Sequence, residues 1–332
     1  MSGKGCGEPR TTSTHDGGHR PPDQISLDMW LYVPSVPVSH ANALTLRGTE
    51  MDAVSPKFLT EPAPARGVPL PVFAGIRRIV ADNPSVMTYH GTNTYLLEDD
   101  DNCFIVIDPG PDDADHVDAI LRATDARVSR ILLTHTHRDH LGATSALKAA
   151  TGAPTVGFHI SAEHTFVADA PLRDGDRIGS LIAVHTPGHA RDHLCFARQD
   201  GLMFSGDHVM GWSSTIVNPP KGDMDAYISS LRLLLARDEL IYLPGHGPLI
   251  DNPETYVSAL LFHREQRERA ILNSLDTEAR NTFDLMDSLY SKLDPTLRQA
   301  AERNVLAHLI KLEGEGHVRK DGDCWISRIG AG

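Results

Sequence analysis

The segment Thr134-His135-Thr136-His137-Arg138-Asp139-His140 constrains this chain more than any other stretch. Three imidazoles and a carboxylate fall within six residues, directly after the apolar run Ile131-Leu132-Leu133. Such a run, bounded by polar residues, reads as a buried strand. If the strand continues, His135 and His137 point the same way, because side chains alternate along it. Where it gives way to a loop, Asp139 and His140 turn toward the same space. Four ligand-type side chains then converge at the end of a strand, the usual place for an α/β site. The bland alternative is a polar turn that happens to hold histidines. It leaves the density of the cluster unexplained.

The surroundings read as an α/β layered domain over residues 73–252. The stretches at 76–81, 93–98 and 103–110 are short, rich in β-branched or aromatic residues and ended by turn residues, so they predict strands. Residues 113–124 have helical spacing at Val117, Ile120 and Leu121, and residues 142–152 predict a helix ending at Gly152. Four more strands follow between 153 and 206. Residues 223–238 form an amphipathic helix with Tyr227, Leu231, Leu234 and Leu235 inward. Alternating strands and helices indicate packed layers. Beyond Pro253 the pattern changes to three helices and a hairpin turning at Asp321-Gly322 or Gly322-Asp323. That order predicts a winged-helix-like module over 253–332.

Residues 1–72 form an extension expected to be largely irregular or disordered. Residues 1–24 have almost no apolar content, and 25–71 are broken by Pro34, Pro37, Pro56, Pro62, Pro64, Pro69 and Pro71. Met51 is a candidate start. No signal peptide and no apolar run of membrane-spanning length is visible, which points to a cytoplasmic protein. Four cysteines lie far apart with no CxxC, against a disulfide framework or a cysteine-rich zinc module. With 31 Lys+Arg against 44 Asp+Glu the net charge is −13, which lacks the positive field that draws nucleic acid. The tail is no exception: residues 254–332 carry 11 Lys+Arg and 13 Asp+Glu. Its basic stretches, 263–269 and 318–322, read as solvated faces.

Three later positions repeat the pattern of a strand ending in a glycine turn with a ligand-type residue: His189, Asp207 and His246. With the first cluster they make five histidines and two aspartates. That set suits two metal ions sharing one carboxylate. Oxygen and nitrogen donors admit zinc, iron or manganese, with zinc expected. Neighbouring His185, His193 and His208 read as supporting or packing residues. Lys221 reads as a solvated loop lysine, and Trp212 and Tyr95 as core at least as readily as pocket lining.

The ordered set of motifs, from HxHxDH through TPGH and SGD to PGHG, resembles the metallo-β-lactamase superfamily over residues 73–250. The resemblance implies an αββα sandwich. It implies that His135, His137 and His189 hold a first metal. Asp139, His140 and His246 then hold a second, and Asp207 bridges them. Asp108, in Val106-Ile107-Asp108-Pro109-Gly110, is implied as a supporting carboxylate. The winged-helix tail is similar to that of a subgroup including endoribonucleases and relatives of hydroxyacylglutathione hydrolase. The expected function is metal-dependent hydrolysis, by a metal-bridging hydroxide, of a thioester, ester or related acyl bond in a small-molecule substrate. Asp139 orients the nucleophile. The alternatives are a single-strand-specific endoribonuclease, which the acidic charge disfavours, and a non-catalytic winged-helix regulator, which seven filled ligand positions disfavour.

Overall fold

The computed structural model describes residues 56–275, 278–291 and 295–328. The expectations for residues 1–55, Met51 included, lie outside the described residues.

The first sheet orders its seven strands sequentially: β1 (Leu70–Phe73), β2 (Ile76–Val80), β3 (Asn93–Glu98), β4 (Phe104–Ile107), β5 (Val128–Leu132), β6 (Thr155–Phe158) and β7 (Ala170–Leu172). β1 to β4 pair antiparallel, and β4 to β7 pair parallel. Parallel pairing needs crossovers, and helices supply two of them. α1 (Ala114–Thr124) links β4 to β5, while α2 (Arg138–Leu141) and α3 (Thr144–Thr151) link β5 to β6. The Asp113 carboxylate caps α1 by accepting from Asp115 N at 3.0 Å. As the sequence predicts, α3 stops at Gly152, which takes φ +70°. The second sheet holds β8 (Arg177–Ile178), β9 (Leu181–His185), β10 (Leu194–Arg198), β11 (Leu202–Gly206) and β12 (Ile241–Pro244), with α4 (Met224–Leu235) crossing from β11 to the parallel β12.

Strand alternation builds the layers. Tyr95 and Leu97 of β3 and Ile105 and Ile107 of β4 face Leu194 and Phe196 of β10 between the sheets. The alternate residues Leu96, Phe104 and Val106 turn outward onto α1 and α3. On the other sheet Cys195, Ala197 and Met203 turn outward onto Tyr227, Leu231 and Leu234 of α4. Both faces of both sheets are therefore apolar and covered, which is the αββα arrangement.

α5 (Pro253–Leu275), β13 (Arg280–Asn281), α6 (Thr282–Leu289), α7 (Arg298–Gly314), β14 (Val318–Asp321) and β15 (Cys324–Ser327) complete the described chain. The three strands order β13-β15-β14. Leu285, Val305, Leu309 and Trp325 close a core of their own there. Pairing of Asp321 with Cys324 leaves Gly322-Asp323 as the hairpin loop, with Gly322 at φ +60°.

One boundary moves and one expectation needs correction. β1 begins at Leu70, and the irregular chain before it is fastened: Leu59 N donates to Gly211 O at 2.8 Å, and Arg78 donates twice to the Glu61 carboxylate, at 3.1 and 2.9 Å. The basic stretch 263–269 is not a solvated face either. α5 lies against both α4 and α7, so Arg264 is only 2% exposed and Arg267 is half-buried, stacked 4.0 Å over the Tyr290 ring.

Candidate metal centre

The seven donors meet at one end of the sandwich. His135 and His137 do not stand on a strand, as the sequence suggested, because β5 stops at Leu132. The cause is local. Thr134 N–H donates to Asp108 Oδ1 at 2.8 Å and its hydroxyl to Oδ2 at 2.7 Å, which takes the backbone away from ladder pairing. His137 then stands at the N-cap position of the single turn of α2, which carries Asp139 and His140. His189 follows β9, Asp207 follows β11 and His246 follows β12. Gly245 is needed for space: a Cβ there would lie 2.5 Å from Asp207 Oδ1 and 2.8 Å from His140 Cε1. Gly188, at φ +144°, passes so close to Tyr227 that any side chain would collide with it.

Two clusters result, each with donor atoms within 4.8 Å of one another: His135, His137, His189 and Asp207, then Asp139, His140, Asp207 and His246. In the first, His137 Nδ1 lies 2.9 Å from both His135 Nε2 and His189 Nε2. In the second, Asp139 Oδ2 lies 3.2 Å from His246 Nε2 and 3.7 Å from His140 Nε2. Asp207 belongs to both and divides its oxygens. Oδ2 faces His189 Nε2 at 3.7 Å and His135 Nε2 at 4.0 Å, while Oδ1 lies 3.4 Å from Nε2 of both His140 and His246.

In three of the histidines the other imidazole nitrogen is committed elsewhere, which sets those rings. Nδ1 of His140 bonds Asp108 Oδ2 at 2.8 Å, Nδ1 of His189 bonds Ile216 O at 2.7 Å, and Nδ1 of His246 bonds Gly91 O at 3.2 Å. Asp108 is thus the supporting carboxylate that the motif implied. His193 supports from behind: Asp207 N–H donates to its Nε2 at 3.2 Å. His208 is buried beside it, and His185 stacks on Phe158.

Charge divides the clusters. Burial and the neighbouring histidines push His135 well below its ordinary pKa and His137 to about 3. His140 and His246 go the other way. Burial opposes them, but Asp207, Asp108 and Asp139 hold His140 well above the usual range, and Asp207 and Asp139 hold His246 near 9. Against the same burial, His246 and His140 hold Asp207 well below the carboxylate range.

Whether these residues fit a metal can be tested on unmet bonds. His140 Nε2, His246 Nε2 and Asp207 Oδ1 are buried and make no hydrogen bond, and all three point into the same space. Buried polar atoms left without a partner are costly, and a shared cation satisfies all of them at once. The donor set fits. Beside it lies a cavity of about 230 Å³, lined by Met87, Met210, Ile216, Asn218 and Lys221. Lys221, read from sequence as a solvated loop lysine, lines that cavity. Tyr95 is core, its hydroxyl donating to Pro244 O at 2.8 Å, and Trp212 stacks on Tyr89 outside the cavity. Met87, Met210 and Ile216 carry no signal in sequence, being ordinary apolar residues on loops.

Comparison with known proteins agrees with this geometry. The family described as Metallo-beta-lactamase superfamily matches residues 87–172, and the Beta-lactamase associated winged helix domain matches 282–325. Beta-lactamase-like protein 2 homolog of Drosophila melanogaster is 32% identical over 268 residues, covering 74% of this chain and 90% of that protein. Atrochrysone carboxyl ACP thioesterase AgnL7 of Paecilomyces divaricatus is 28% identical over 291 residues, covering 79% and 90%. Among solved structures, a beta-lactamase domain protein from Burkholderia ambifaria has a TM-score of 0.68 at 21% identity, covering 80% of this chain and 95% of that one. A seven-donor cluster at the end of a double sheet, a winged helix behind it and relatives matched over nearly their whole length leave one assignment: the chain belongs to the metallo-beta-lactamase superfamily.

Proposed function

We propose that the protein is a binuclear metallohydrolase acting on a thioester or related acyl bond of a small substrate. The observation that carries this reading is Asp207, whose two oxygens face separate donor clusters. His135, His137 and His189 would hold one divalent cation and Asp139, His140 and His246 the other, with Asp207 touching both. Such a pair supplies a nucleophilic oxygen at neutral pH and polarises a carbonyl, so no side-chain nucleophile is required. The donors admit zinc, iron or manganese, and zinc is our first choice. Asp139, its side chain 30% exposed and on the cavity wall, would orient the attacking oxygen. Met87, Met210 and Ile216 offer apolar surface to an acyl group, and Lys221 and Asn218 offer polar contacts at the same wall.

A relative named as a thioesterase supports the acyl reading. The endoribonuclease reading loses ground. The arginines of residues 263–269 that RNA would need include Arg264, which is buried, and Arg267, which packs on Tyr290. The test offers the protein a short acyl thioester and a single-stranded oligoribonucleotide, each with and without chelator. Thioester cleavage that chelator abolishes and zinc restores is the expected result. Metal-dependent RNA cleavage with the thioester untouched would overturn the proposal.

A further inference from the structure

The loop between β11 and α4, residues 207–223, forms one side of the metal centre. It supplies Asp207, and it supplies Ile216, whose carbonyl oxygen accepts from His189 Nδ1 at 2.7 Å. That carbonyl sets which nitrogen of His189 faces the donor cluster. Its own peptide unit and the one before it are gripped from outside the sandwich. Arg264 Nη2 of α5 donates to Thr215 O, and Val217 N–H donates to Asn304 Oδ1 of α7 at 2.9 Å. Tyr256, also on α5, donates to Met210 O at 2.9 Å and Gly211 O at 2.7 Å. Both the gripped residues and the gripping ones are buried: Thr215 and Val217 are 0% exposed, Arg264 2% and Asn304 7%.

Arg264 is the unusual member. Its guanidinium pairs with no carboxylate among the described residues, its Nε makes no hydrogen bond, and its flat face lies 5.1 Å from the Tyr227 ring centroid. A buried cation with so few partners is costly, and an apolar side chain of similar length would pack there with less penalty. Stability does not account for it.

We infer that Arg264 and Asn304 are positioning residues for His189, so that the helices after the sandwich complete the first metal cluster through the Ile216 carbonyl. The inference rests on the binuclear reading above. It makes α5 and α7 part of the metal centre, alongside whatever else the winged-helix module does. A supporting residue of this kind typically changes metal affinity 10- to 100-fold.

The experiment uses the full chain stripped of metal, titrated with zinc against a chromophoric chelator so that two binding steps are resolved. His189→Ala identifies the step belonging to the first cluster. Arg264→Met and Asn304→Leu are expected to weaken that step about 10- to 100-fold and leave the other within about threefold. Arg264→Lys and Asn304→Asp, which keep a donor and an acceptor, should recover part of the loss. The melting temperature of metal-free Arg264→Met should match or exceed that of the parent, which separates positioning from general support. Unchanged steps in both variants would overturn the inference and leave the binuclear reading standing. So would equal weakening of both steps together with a lowered melting temperature. A parent chain that takes up no zinc would remove the binuclear reading and this inference with it.

Discussion

The two donor clusters share Asp207 and little else. The first is a group of three imidazoles whose nitrogens approach to 2.9 Å, with His135 and His137 held neutral by burial and by each other. The second mixes imidazole and carboxylate, and its two histidines are held protonated by Asp207 and Asp139, with Asp108 acting on His140 alone. Without metal, the second cluster is held by attraction between histidine and carboxylate charge, while Nε2 of both histidines makes no hydrogen bond. The first sets imidazole nitrogens against one another at 2.9 Å, with no compensating charge on His135 or His137. Equal numbers of donors therefore give unequal sites: one ready for a cation, the other needing to shed protons first.

The largest effect should come from removing what the clusters share. Asp207→Ala should weaken both zinc steps by more than about 100-fold, since a direct donor outweighs a supporting residue. His189→Ala and His246→Ala should each weaken one step. Zinc titration against a chelator reads all three. If Asp207→Ala spares either step, the carboxylate is not shared and the comparison fails.

The next effect concerns pH. A histidine held protonated to about pH 9, as His246 is, must release its proton to bind a cation. Affinity of the second cluster should therefore rise with pH from 6 to about 9, by up to tenfold per unit for each proton released. The first cluster, with His137 near 3 and His135 well below its ordinary value, should respond less. Stepwise affinities measured across that range check the sign. A steeper response in the first cluster would reverse the comparison.

The smallest expected effect tests how locally the second cluster is supported. Arg78 pairs with Glu61 and also donates to Gly247 O at 3.2 Å, beside His246. Glu61→Ala should cost about 1 kcal/mol, or about 2–4 °C in melting temperature. Any change in zinc affinity should fall on the second step. A change confined to the first step would mean that the clusters are coupled through the sheets.

Much of this site was readable from the chain alone. His135, His137, Asp139 and His140 lie within six residues, and His189, Asp207 and His246 each follow a strand beside a glycine. The expected helix at residues 223–238 is there, with Tyr227, Leu231 and Leu234 buried and Leu235 partly so. What failed was the extension of β5 into the motif. Asp108, 26 residues away, captures Thr134 and ends the strand.

While the sandwich was implied by the family resemblance, residue types and local periodicity therefore determined an α/β layered domain, the tail helices and the seven candidate donors. Each depends on short-range patterns: alternation on strands, helical spacing and glycine turns at strand ends. Tertiary structure alone decided how Asp207 divides its oxygens, which histidines are charged, and which side chains wall the cavity. It also decided that Arg264 and Asn304 grip the loop beside His189, over separations of 49 and 87 residues. The reason is physical. Hydrogen-bond geometry and the electrostatics of buried groups depend on which atoms are brought within a few ångströms, and no local pattern encodes contacts that only the packing of α5 and α7 creates.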